Sequence, residues 1–241
     1  HNQRLVPVSM ETRGSVGQFD PATGRYTLHT SCQNPAGLQK TLAEGILKVP
    51  AADVRVLVGD VGGGFGMKTQ LYAEDAVCVW AAKKLGRPVH WRATRSEEFL
   101  AGNHGRDQTD EAEIALDADG KILGLRVRCV GNIGAYACGP GAVIVVAVGP
   151  KVITGVYHVP TLDLRGVAVM TNTNIVGAYR GAGRPEAIYL IERLMDQAAA
   201  ELKLDPAELR RRNLIQPGAM PYTTPMGEKF DSGNFPHMLA R

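Results

Sequence analysis

The 241-residue chain carries 27 lysines and arginines against 24 aspartates and glutamates, a net charge of +3. That balance is too mild for a nucleic-acid surface, and 44% hydrophobic with 21% charged residues excludes disorder, collagen-like repeats and coiled coil. The longest apolar run, residues 141–148 (GAVIVVAV), falls far short of the ~18–20 residues of a membrane span, and the length suits one large domain or two small ones.

In chain order, residues 25–31 alternate and carry Tyr and Thr, which predicts a strand. Pro35 suits a helix start, and Leu38, Leu42, Ile46 and Leu47 follow at helical spacing, so a helix should run until shortly before Pro50. Residues 54–58 (VRVLV) predict a strand that runs directly into a glycine-rich loop. A helix over residues 70–85 comes next, stopped by Gly86, and then a strand over 89–93. Residues 108–116 and 122–130 predict a hairpin turned by Asp117-Ala118-Asp119-Gly120. Residues 131–155 show no readable period. Residues 162–170 predict a strand, and Ile188, Ile191, Met195, Ala198 and Leu202 form a helical stripe. Asp205 followed by Pro206 predicts a capped helix start, and the tail from residue 216 reads as loop. The sum is an α/β chain of the α+β type, a mixed β-sheet with helices packed on it.

Chemistry can rest on few of these residues. In residues 59–66 (GDVGGGFG) the glycines permit a sharp turn and close approach to a ligand, and N–H groups ahead of a helix attract anions. A tight turn with a packing contact explains the same residues. Met67 separates Gly66 from Lys68-Thr69, so a Walker A loop fails by one residue, and no counting of the glycines gives a dinucleotide fingerprint. Residues 178–185 (AYRGAGRP) place Arg180 and Arg184 on a glycine-rich loop, suited either to an oxyanion or to plain solvation. Gln33 sits at a strand-to-helix junction, where side chains often face a site. Ser96-Glu97-Glu98 reads as helix N-terminal charge. The six histidines include no metal-ligand spacing, and no nucleophile elbow supports a hydrolase. Cys32, Cys78, Cys129 and Cys138 follow no paired pattern and read as thiols of a reducing, cytoplasmic compartment. Starting at His1 instead of Met, the chain reads as a piece of a longer polypeptide.

Six segments, residues 7–13 (PVSMETR), 30–35 (TSCQNP), 62–66 (GGGFG), 85–88 (LGRP), 178–186 (AYRGAGRPE) and 209–213 (LRRRN), together resemble one family. It is the molybdenum-cofactor-binding large subunit of the molybdenum hydroxylases, which include xanthine dehydrogenase, aldehyde oxidase and aerobic carbon monoxide dehydrogenase. The likeness is greatest to second-form carbon monoxide dehydrogenase-like large subunits. The resemblance implies that residues 1–241 form the first molybdopterin-binding domain, with subdomains 1–104 and 105–241. Gln33, Gly63, Gly64, Phe65, Gly66, Arg180, Gly181 and Ala182 are then the cofactor-binding residues. Gln33 faces an oxo ligand and Arg180 lies at the active centre, the two with catalytic roles. The glycines keep bulk out of the pterin's space, and no protein side chain ligates the metal, which the pterin dithiolene holds.

Further implications concern the reaction. An aldehyde, N-heterocycle or similar small molecule is oxidised with oxygen from water, by a molybdopterin in its cytosine dinucleotide form. Electrons leave through 2Fe-2S clusters and FAD on partner subunits or domains. Gly181 stands where the carbon monoxide-oxidising form carries a copper-binding cysteine, and Thr69 where purine-oxidising members carry a glutamate, so both substrates are disfavoured. The family's general base, a glutamate, belongs to a later domain. These 241 residues therefore resemble the first half of the cofactor site, inactive alone, as an excised fragment or as a subunit of a split enzyme. The remainder of the large subunit and the iron–sulfur and flavin subunits are the implied partners. Two alternatives stand beside this reading: a phosphate- or nucleotide-binding module using the GGGFG loop with Lys68 and Arg180, and a non-catalytic homologue without cofactor.

Overall fold

A computed structural model describes residues 1–137 and 139–241; Cys138, one of the thiols named above, lies outside the described residues. The chain divides into two compact units. The N-terminal unit comprises Val6–Gly105 with Gly177–Arg180, and the C-terminal unit comprises His1–Leu5, Arg106–Val176 and Gly181–Arg241.

The N-terminal unit is built on a four-stranded mixed sheet of order β3-β2-β1-β4. β1 (Gly14–Asp20) pairs antiparallel with β2 (Arg25–Thr30), which pairs parallel with β3 (Val54–Leu57). β4 (Val89–Arg92) closes the other edge, antiparallel to β1. The predicted helix from Pro35 forms as α1 (Pro35–Lys40) running into a wider π-turn over Thr41–Leu47. α2 (Ala73–Leu85) begins three residues later than its periodicity suggests. Met67–Thr69 make a separate tight turn, and the Asp75 carboxylate caps the Tyr72 N–H at 3.0 Å. Gly86, at φ 64°, ends it as expected. Tyr26, Leu28, Leu42, Ala43, Val54 and Val79 form the core. α2 seats on β1 because Gly17 has no side chain: a Cβ there would lie 2.3 Å from the Cys78 carbonyl.

α3 (Arg95–Ala101) carries Glu97 and Glu98 in its first turn, as its sequence predicts. Thr94 and Glu97 make a reciprocal capping box, at 3.2 and 2.7 Å. Glu98, also in the first turn, is fully buried and paired with Arg13 as well.

In the C-terminal unit β5 (Gln108–Leu116), β6 (Ile122–Gly134) and β7 (Leu162–Met170) form a second mixed sheet in that order, antiparallel then parallel. Asp117 accepts the Asp119 and Lys121 N–H groups, and Gly120, at φ 78°, completes the predicted hairpin turn. The stretch without a period extends β6 to Gly134. It then makes the single turn α4 (Gly141–Val143), a π-turn over Ile144–Val148 and a short turn over Pro150–Val152. α5 (Arg184–Leu202) buries Ala187, Leu190, Ile191, Met195, Ala198 and Ala199 against Ile122, Leu125 and Val127. Two members of the predicted stripe, Ile188 and Leu202, are exposed instead, because small alanines set the buried face. α6 (Pro206–Asn213) follows. The tail forms a two-residue hairpin, β8 (Tyr222–Thr223) and β9 (Lys229–Phe230), and α7 (Phe235–Leu239).

Asp205 caps α6 as its sequence predicts, accepting from Ala207 N and Glu208 N at 2.9 Å each. Asp205→Ala is expected to destabilise this unit by about 1 kcal/mol, read as a lower urea midpoint with unchanged slope. Among the described residues no helix is long and apolar enough to cross a membrane.

Candidate functional site

The loop that leaves β3 is held at both ends by side chains from elsewhere in the N-terminal unit. At its start Gly62 N–H donates to Glu11 Oε2 at 2.9 Å, and Glu11 N–H returns to the Gly62 carbonyl at 3.0 Å. At its end Gly66 N–H donates to Gln33 Oε1 at 2.8 Å. Between these points Gly63 and Phe65 take left-handed φ values of 98° and 53°. A non-glycine residue at Phe65 held there is under strain, which concentrates at ligand-binding backbone.

The anchored carbonyl fixes the Gln33 amide. Its backbone N–H is bonded to the Lys68 carbonyl at 2.8 Å and its Oε1 to Gly66, so Nε2 remains as a donor on an exposed side chain. The N–H groups of Gly63, Gly64 and Phe65 donate to nothing among the described residues. Successive backbone donors in alternating-handed conformations form an anion-binding concavity.

The segment Gly177–Arg180 lies along the same loop. Arg180 N–H donates to the Phe65 carbonyl at 2.9 Å, and Gly177 N–H to the His104 carbonyl at 2.8 Å. Asn103 Nδ2 bridges the carbonyls of His104 and Ala178 at 3.0 Å each. The Tyr72 hydroxyl donates to the Met67 carbonyl at 2.7 Å and accepts from Asn103 N–H at 3.1 Å. Burial pushes this phenol up to about 12, so it stays protonated and donating at neutral pH.

Of the residues singled out from sequence, Gln33, Gly63, Gly64, Phe65, Gly66 and Arg180 therefore come together in the N-terminal unit. Gly181 and Ala182 belong to the C-terminal unit, where with Gly183 they make three successive left-handed residues, at φ 94°, 43° and 86°. Arg184 turns back on this loop, donating from its N–H to the Gly181 carbonyl at 3.1 Å.

Lys68 is placed differently from a phosphate-binding lysine. It is 2% exposed and points inward, donating to Glu11 Oε2 at 2.8 Å and to the Glu11 carbonyl at 3.0 Å. An ammonium this buried needs a carboxylate, and Glu11 supplies it. Sequence reasoning singled out neither Glu11, although it lies in the PVSMETR segment, nor Asn103, which no motif marks. Thr69 likewise turns into the loop, its hydroxyl donating to the Gly66 carbonyl at 2.7 Å.

An exposed amide donor beside a row of backbone N–H groups fits an oxygen-rich, anionic ligand such as a molybdopterin. Among the described residues no group of three or more His, Cys, Asp or Glu could hold a metal ion. The family described as "Molybdopterin cofactor-binding domain" matches residues 1–214. The carbon monoxide dehydrogenase large chain of Hydrogenophaga pseudoflava is 37% identical over 235 residues, 96% of this chain and 29% of that one. The 6-hydroxypseudooxynicotine dehydrogenase complex subunit gamma of Paenarthrobacter nicotinovorans is 36% identical over 232 residues, 94% of this chain and 29% of that one. The crystal structure of quinoline 2-oxidoreductase from Pseudomonas putida 86 superposes with a TM-score of 0.93 at 36% identity, over 98% of this chain and 30% of that one. The chain thus spans less than a third of the relatives it matches. It belongs to the molybdopterin cofactor-binding domain family, and with it to the large chains of the molybdenum hydroxylases.

Proposed function

We propose that this chain is the first molybdopterin-binding domain of a large subunit that oxidises an aldehyde or N-heterocycle with oxygen from water. Its electrons leave through 2Fe-2S clusters and FAD on partner subunits or domains. The observation that carries the reading is the Gln33 amide, whose Oε1 is tied to Gly66 N–H so that Nε2 is presented as a donor. When bound, the molybdenum pterin, which we take to be the cytosine dinucleotide form, supplies the two-electron oxidation.

The protein's share is orientation and charge. Gln33 Nε2 donates to an oxygen of the bound group, and the N–H groups of Gly63, Gly64 and Phe65 offer fixed dipoles to its anionic atoms. The Arg180 backbone is bonded to Phe65, and its guanidinium is proposed as the cation that stabilises negative charge developing on substrate. Gly181 and Ala182, which lie in the C-terminal unit, are proposed as cofactor-binding residues on the family resemblance alone.

The proposed substrate class is supported by the residues at positions 69 and 181 and by one of the likenesses. Gly181 provides no thiolate for copper, and at φ 94° a Cβ there would meet Pro185 at 2.6 Å. The Thr69 hydroxyl is spent on the Gly66 carbonyl. The likeness to quinoline 2-oxidoreductase supports an N-heterocycle. A heteromeric assembly is supported by the relative that is by name a complex subunit. Buried Cys32, Cys78 and Cys129, all unpaired, support a reducing compartment, the cytoplasm.

The test uses the complete large subunit in its native complex. Gln33→Ala is expected to retain molybdenum and pterin while turnover of quinoline-type or aldehyde substrates falls about 10–100-fold. A wild-type complex without molybdenum or pterin removes the proposal, and undiminished turnover by Gln33→Ala removes the role of Gln33.

A further inference from the structure

Lys68 and Glu11 form an ion pair to which the reading above gives no function. The Lys68 side chain is 1% exposed and that of Glu11 37%, with Nζ and Oε2 2.8 Å apart. The pair sits within a closed circuit. Glu11 exchanges hydrogen bonds with Gly62 where the loop starts, through the same Oε2 at 2.9 Å and through its own N–H at 3.0 Å. Lys68 accepts the Gln33 N–H at its carbonyl, at 2.8 Å. Gln33 in turn accepts Gly66 N–H where the loop ends, at 2.8 Å. Each bond therefore fixes the span of residues 62–66 against Gln33.

Two rival roles are available to a lysine here. Direct contact with an anionic ligand is closed to it, because Nζ is enclosed and both its bonds go to Glu11. General support of the fold remains, and that role differs from positioning in what it predicts. Burial alone would raise the Glu11 carboxyl. The hydrogen bond from Lys68, the Gly62 N–H and the Lys68 charge outweigh it and hold the group below its ordinary 4.5, so Glu11 is a carboxylate at neutral pH.

We infer that Lys68 and Glu11 are positioning residues, a buried clamp that sets the GGGFG loop against Gln33 and so aims the Gln33 amide at the bound cofactor. The inference rests on the proposed function for its catalytic consequence, but its structural half stands by itself. Outer-sphere partners of this kind carry effects of about 10–100-fold on affinity or activity when removed.

The experiment takes Glu11→Gln, Lys68→Met and the double variant in the complete large subunit within its complex. Two readouts are needed: amide hydrogen exchange over residues 60–67 in protein stripped of cofactor, and kcat and KM per bound molybdenum in loaded protein. Each single variant is expected to speed exchange of the bonded Gly62, Gly66 and Met67 amides and to lower kcat about 10–100-fold with little change in KM. Exchange in β5 and β6 stays at the wild-type rate. The double variant, which leaves neither charge unpaired, is expected to recover part of both losses. Should Glu11→Gln fail to accumulate, Glu11→Asp keeps the charge but shortens the reach to Gly62 and is read the same way. Wild-type exchange in the loop overturns the clamp, and so does a loss confined to yield with wild-type kcat per molybdenum. If the wild-type complex holds no molybdenum pterin, the proposed function fails while the exchange arm still decides the clamp.

Discussion

Gly66→Ala is expected to destabilise the N-terminal unit by about 2–4 kcal/mol and to abolish cofactor retention. Two separate penalties act at this position. Its backbone, at φ 99° and ψ −26°, is one that residues with a Cβ rarely adopt, a strain of about 1–3 kcal/mol. The added Cβ would also stand 2.6 Å from the Ala178 carbonyl oxygen and 2.8 Å from its carbon. Backbone atoms cannot rotate away, so the segment carrying Arg180 must shift, and the Arg180–Phe65 bond is lost with it. Denaturant unfolding together with molybdenum content checks this.

Gly64→Ala separates the two penalties. Gly64 is outside the left-handed region, and its Cβ would meet Gln33 Oε1 at 2.4 Å, the end of a flexible side chain. Stability should change by less than about 1 kcal/mol, while Gln33 swings off Gly66 N–H and turnover falls as in Gln33→Ala. Both collisions are with the protein's own groups. The glycines are thus required for the loop to close on Gln33 and on residues 177–180. The family resemblance implies a further reason, that a side chain there would enter the pterin's space. Near-wild-type stability of Gly66→Ala would contradict this account.

What was legible in the sequence is what local chemistry decides. Pro35, Gly86, the Asp117–Gly120 turn and the Asp205-Pro206 cap each act within a few residues, and each boundary lies where those residues place it. β1 (GSVGQFD) carries no β-branched run. It is a strand because Ser15 and Gly17 fit against α2 while its edges pair with β2 and β4. Residues 131–155 are similar: Gly131 admits the Val145 side chain, whose methyl would lie 2.3 Å from an added Cβ. That contact is tertiary and leaves no periodicity. At the site, the glycines and Arg180 were visible as motifs, and only the family resemblance gave Gln33 its meaning. Lys68 looked like a ligand-binding cation because its partner Glu11 lies 57 residues away. No spacing rule shows that a charge is already spent.

Glu98→Gln is expected to destabilise the N-terminal unit by about 3 kcal/mol, the lower end of the range for breaking a buried ion pair. Arg13 is 5% exposed, and Glu98 is fully buried. Glu98 Oε2 accepts both the Arg13 N–H at 3.2 Å and its Nε at 3.3 Å. The guanidinium lies 3.8 Å from the Tyr72 ring centroid, and its other carboxylate, Glu74 at 3.4 Å, is more exposed and more screened. Glutamine keeps an acceptor but removes the charge, so a cation is left among aromatic rings and a weak partner. Replacing both members, Arg13→Met with Glu98→Leu, should recover much of the loss, since it removes two desolvated ions together. Urea unfolding of the wild type, Arg13→Met, Glu98→Leu and the double variant gives the coupling directly. Additive effects would mean that Arg13 is held by Tyr72 and Glu74, and that Glu98 is buried for a reason other than this pair.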